Sequence, residues 1–124
     1  MAVALVLFIV TALPIISNAV EWTNTYGTCT GTSKTYTWSQ SNSPTYRRIS
    51  ATTKCTNAAP KIAAEVYGYY NGTLVMSKTN TASNAKTVTA TSDNSTYANK
   101  TISGNGCHAV WSSSLSRVNK YSSF

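Results

Sequence analysis

Acidic side chains are almost missing from this chain. Glu21, Glu65 and Asp93 are the only three among 124 residues, against ten lysines and arginines and a single histidine, His108. A hydrolase built on two paired carboxylates has little to draw on, since both acids must flank one bond. Acid–base chemistry in general needs positioned titratable groups, and each acid here already has a place. Glu21 sits near the start of the second segment described below, Glu65 faces a lysine in a hairpin, and Asp93 lies in Ser92-Asp93-Asn94-Ser95. A Ser–His–Asp set drawn from Asp93, His108 and one of 17 serines is a pattern that so serine-rich a chain offers by chance. No G-x-S-x-G, P-loop or dinucleotide fingerprint is present. His108 reads instead as a strand residue with a satisfied hydrogen bond, and the chain reads as a non-enzyme with no catalytic residue and no cofactor.

Cysteine is scarce too: Cys29, Cys55 and Cys107. There is no C-x-x-C, and His108 adjoins Cys107, so on a strand the two point to opposite faces and suit one metal badly. No metal site is expected. Missing as well is any sustained 3.6-residue apolar period beyond residue 19. A helix over 60–65, capped by Asn57, is opposed by the tyrosines that follow.

What the chain does hold is Ser, Thr and Asn, at 48 of 124 positions. They take over the solvent-facing role from charged residues, which are only 10% of the chain, against about 25% ordinarily. The one long apolar run, from Ala2 to Ile16 with Thr11 inside it, is too short for a membrane span of about 20 residues. It ends in Ser17-Asn18-Ala19, small residues at the positions that a signal peptidase reads. Residues 1–19 are therefore expected to be a secretory signal, although no Lys or Arg precedes the apolar run. Residues 20–124 are expected to form one β-domain of a secreted, extracellular protein.

Short runs of strand formers separated by Asn, Gly, Ser and Asp fill that region. Strands are expected near 21–28, 31–38, 45–54, 62–70, 73–79, 85–91, 96–103 and 107–112, with one more possible in the tail. The fold class is all-β: an antiparallel β-sandwich or small barrel of about 7–8 short strands. Asn71-Gly72 signals a type I′ hairpin. Its register would set Tyr70 opposite Thr73, Tyr69 opposite Leu74, Tyr67 opposite Met76 and Glu65 opposite Lys78. Tyr67, Tyr69, Leu74 and Met76 would then share one face, either covered by another layer or open to a ligand or second subunit.

A second hairpin centred on Asn42 would bring Cys29 opposite Cys55. That disulfide is preferred, and Cys107 is then left buried or pairing between chains; a Cys55–Cys107 bridge is the alternative.

The net charge of +7 suits an anionic partner. Outside a cell this means an anionic cell-envelope component: lipid, teichoic acid or wall precursor. Nucleic acid is not expected, because the lysines form no block. Arg47-Arg48 beside Tyr46 is the one local cluster, and it fits either a phosphate clamp or a solvated strand that resists edge pairing. Candidate binding residues are Arg47, Arg48, Tyr67, Tyr69 and Tyr70. Asn71-Gly72-Thr73, Asn94-Ser95-Thr96 and Asn99-Lys100-Thr101 are glycosylation sequons if the source glycosylates.

The segment GNGCHAVWSSS, residues 104 to 114, resembles the closing strand of small exported β-proteins of Gram-positive bacteria, including the lactococcin-like bacteriocins, in which a small-residue turn leads to His-Ala and Trp-Ser. Three cysteines and a longer domain depart from those cysteine-free proteins. The resemblance implies antibacterial action on wall-precursor synthesis and carries over no functional residue. The reading that contrasts with it is a structural, self-assembling surface protein, a homo-oligomer joined through strand edges.

Overall fold

A computed structural model describes residues 18–39, 41, 44–111 and 117–124, the side chains of 117 and 118 excepted. The signal expected over 1–19 thus falls almost wholly outside the described residues. Those residues form one antiparallel sheet, nearly closed into a barrel, of six strands: β1 (Val20–Asn24), β2 (Gly27–Trp38), β3 (Tyr46–Tyr70), β4 (Thr73–Asn94), β5 (Ser103–Trp111) and β6 (Arg117–Ser123). A single 3₁₀ turn, Ser95–Tyr97, follows β4. Among the described residues no helix is long and apolar enough to cross a membrane.

Six strands replace the seven or eight expected, and one curved sheet stands where two packed sheets were the alternative. The expected strands at 45–54 and 62–70 are one strand, β3, and those at 73–79 and 85–91 are one strand, β4. The Thr-Asn-Ala-Ala-Pro segment between them bulges instead of turning: pairing jumps from Lys54–Thr87 to Ala59–Ala85. An extra length of one strand bends the pair sharply. Asn84, at φ 51°, sits beside the jump on β4.

The bend folds the ribbon back on itself. Thr53 Oγ1 donates to the Ala63 carbonyl at 2.8 Å, and Ile49 lies against Gly68. On β4, Asn80 Nδ2 donates to the Thr89 carbonyl at 2.9 Å; a straight strand would hold those residues about 30 Å apart. One edge of β3 therefore serves two strands, β2 along its first half and β5 along its second. The ring is drawn together where Asn18 exchanges two backbone bonds with Ser123, at 3.1 and 3.2 Å.

The β2–β3 hairpin has the expected register, with Cys29 opposite Cys55 and Trp38 opposite Tyr46. Cys29 and Cys55 are disulfide-bonded, and Cys107 is a buried thiol. The Asn71-Gly72 turn is also as expected, with φ of 50° and 80°. Its register holds for two pairs only. Val75 then bulges, so Gly68 faces Met76, Tyr67 faces Ser77 and Glu65 faces Thr79. This corrects the expected Glu65–Lys78 pair. Lys78 stands opposite Val66, so the two charged residues point to opposite faces. A slip of one residue exchanges the faces of a strand. Here it turns Met76 into the core at 4% exposure and leaves Leu74 outside at 50%. The strand expected over 96–103 is absent: the 3₁₀ turn and coil occupy it, and β5 begins at Ser103.

The interior is lined by Ile49, Ala51, Ile62, Ala64, Val66, Met76, Val88, Ile102 and Val110 around the disulfide. It also holds His108, fully buried. A side chain on Gly31 would strike the His108 ring at 2.3 Å, which explains a glycine in mid-strand.

Candidate functional site

The fold-back of β3 has a direct effect on the candidate residues. Arg47 lies near the start of that strand and Tyr70 closes it, yet both contact the same 3₁₀ turn. The Arg47 guanidinium donates to the carbonyls of Tyr97 at 3.5 Å and Ala98 at 3.3 Å. The Tyr97 ring meets the Tyr70 ring at 5.6 Å between centroids, and the Lys100 ammonium lies 5.7 Å from the Tyr70 centroid. Asn94 caps the turn by accepting from the Thr96 amide at 2.9 Å.

On the neighbouring outer face Arg48 grips Asp93 with two bonds, 2.6 and 2.8 Å. It also stacks over Trp38 at 4.1 Å, and Trp38 meets Tyr46 at 5.9 Å. The carboxylate beside it holds Arg48 still more firmly protonated, and burial lowers the Arg47 pKa from its ordinary value. One end of the barrel thus carries two groups: Arg47, Lys100, Tyr70 and Tyr97 around the turn, and Arg48, Asp93, Trp38 and Tyr46 on the outer face. These four rings are half-buried, as is Tyr69. Exposed Leu74 stands opposite Tyr69.

Arg47 and Tyr70 are therefore brought to one turn, with Arg48 on the adjoining outer face, while Tyr69 alternates with Tyr70 to the other face of β3, opposite Leu74. Tyr67 is set back: its hydroxyl donates to Glu65 at 3.3 Å, on the outer face farther along β3. Each arginine is tied to the protein on one side, so neither is a loose phosphate clamp. Sequence reasoning missed Tyr97, Lys100 and Trp38. The signal for the first two was the Asn94 cap, which marks a local turn and not the strand expected there.

Asp93 is held by Arg48 on the surface, whereas His108 is buried between Thr53 Oγ1, 2.9 Å from Nδ1, and Ser122 Oγ, 2.7 Å from Nε2. A triad of His108, Asp93 and a serine is not assembled. Thr53 spends its hydroxyl proton on the Ala63 carbonyl, so it accepts from Nδ1–H. Ser122 likewise spends its hydroxyl proton on Ser33 Oγ at 2.8 Å, so it turns its lone pairs to Nε2. Desolvation lowers the His108 pKa to about 4. Among the described residues no three His, Cys, Asp or Glu side chains gather to hold a metal ion.

Comparison with protein-family models, curated proteins and solved structures found no match.

Proposed function

We propose that this is a secreted, non-enzymatic, bacteriocin-like protein that binds an anionic component of a cell envelope, whether lipid, teichoic acid or wall precursor. The observation that supports this reading is the convergence of both ends of β3 on one turn, which sets three cations and the rings of Trp38, Tyr46, Tyr70 and Tyr97 at one end of the barrel. Rings with a polar tip suit a boundary between apolar and wet surroundings, and the +7 charge raises the local concentration of anions.

Co-sedimentation with anionic and neutral vesicles, and with isolated cell walls, tests it. Retention on the anionic material should fall several-fold as salt rises from 0.05 to 0.5 M (about 14 to 4 Å of screening length). Lys100→Gln and Leu74→Ser together should weaken it at least five-fold. Retention indifferent to both salt and substitution would remove the proposal.

A second reading is self-assembly as a structural surface protein. It is favoured by β4, which pairs with β3 alone and so presents an outer edge. Concentration-dependent oligomers on size-exclusion, lost on placing a proline in that edge, would support it over the first.

A further inference from the structure

At the far end of the first half of β3, about 26 Å from Arg47 by strand rise, the outer face has a different chemistry. Register places Glu21, Thr30, Lys54 and Thr87 side by side on β1, β2, β3 and β4, with Thr32, Thr52 and Thr89 in the next row. Beside the first row lies a cleft of about 270 Å³ lined by Thr28, Thr30, Lys54, Cys55 and Thr56. The Cys29–Cys55 disulfide pins β2 to β3 beneath it, and Thr56 Oγ1 donates to the Thr28 carbonyl at 3.2 Å. The walls are thus fixed before any ligand arrives, which lowers the cost of binding.

Four polar side chains there, other than Thr56, are unspent. Lys54 and Glu21 are both exposed, and neither makes an ion pair among the described residues. Thr28 and Thr30 hydroxyls likewise have no hydrogen bond among the described residues. Two strand spacings, about 10 Å, separate the backbones of Glu21 and Lys54. A plain inorganic anion would gain from Lys54 but be opposed by Glu21. A neutral sugar would satisfy Glu21 and the threonines but gain nothing from the ammonium. A saccharide bearing an acid group satisfies all of them: its hydroxyls donate to Glu21 and exchange bonds with threonine, and its anion meets Lys54. The volume lies just under the roughly 300 Å³ at which small-molecule pockets begin, so one ring is seated and its neighbours lie over the threonine rows.

We infer that this cleft binds an acidic saccharide, with the acid group on Lys54 and the ring hydroxyls on Thr28, Thr30 and Glu21. The site is separate from the aromatic end and stands whether or not that end binds an envelope component.

Titration of the ¹⁵N-labelled protein with trigalacturonate, its methyl ester and inorganic phosphate decides the matter. Saturable amide shifts at Thr28, Thr30, Lys54 and Thr56 are expected with trigalacturonate. The ester should bind about five-fold more weakly or worse, and phosphate at equal concentration should give no saturable shift. Lys54→Gln should weaken trigalacturonate about five-fold, the value of one well-placed exposed ion pair, and Glu21→Gln should weaken it less. Lys100→Gln should leave it unchanged while lowering retention on anionic vesicles. Shifts centred on Tyr97 and Lys100, binding unaltered in Lys54→Gln, or phosphate matching the saccharide would each overturn the assignment.

Discussion

His108 is uncharged at neutral pH because its ring is sealed from solvent, and burial lowers its pKa to about 4. In the unfolded chain the same ring titrates near 6.5. As pH falls, the unfolded state therefore takes up the proton first. The stabilisation is complete above about pH 6.5 and is lost progressively down to about pH 4, a total on the order of 3 kcal/mol. Urea midpoints at pH 7.5 and 4.5 measure it, and with only three acidic side chains in the chain the background slope is small. Equal midpoints would contradict it. Gly31→Ala would drive a Cβ into that ring at 2.3 Å and should cost about 1–3 kcal/mol. Adding His108→Ala should recover part of that loss, because the two residues share one space. That His108 belongs on a strand and hydrogen-bonds was legible from its neighbours. That Gly31 and Gly106 leave room for its ring was not, because β2 and β5 meet only across the finished interior.

Two hairpins show how far local chemistry carries an element. Around Asn42 the expected register holds over ten pairs, from Cys29–Cys55 to Trp38–Tyr46, and the disulfide locks one end. Reducing it should lower stability by about 3 kcal/mol in the chain-entropy model, read as a shift of the denaturant midpoint with reductant. Around Asn71-Gly72 the turn was legible and the register beyond it was not. A type I′ turn demands positive φ, and Gly72 at 80° has open space around it. Gly72→Ala should therefore cost about 1 kcal/mol through backbone conformation alone, without altering the near-UV spectrum of the core. The bulge at Val75 answers to the core, where Met76 is held at 4% exposure. No feature within residues 64–78 announces it.

At the scale of the molecule, the strand count failed chiefly at a corner. The segment 55–61 was read as a break between strands, and it holds a corner within one. Alternation and turn residues report where a chain leaves the extended state, but a corner keeps both sides extended and changes only direction. The grouping of Arg47 with Tyr70 depends on that corner. The sequence offered Arg47 and Tyr70 as separate candidates, and their companions Tyr97 and Lys100 were out of reach.

The seam between Asn18 and Ser123 joins residues 105 apart. Its two backbone bonds cannot form until nearly the whole described chain has emerged, whereas the hairpins on either side of β3 need only their own turns. The hairpins should therefore appear early and ring closure last, on the millisecond-to-second scale of proteins dominated by non-local pairing. A nascent chain held short of Ser123 would remain an unsealed ribbon.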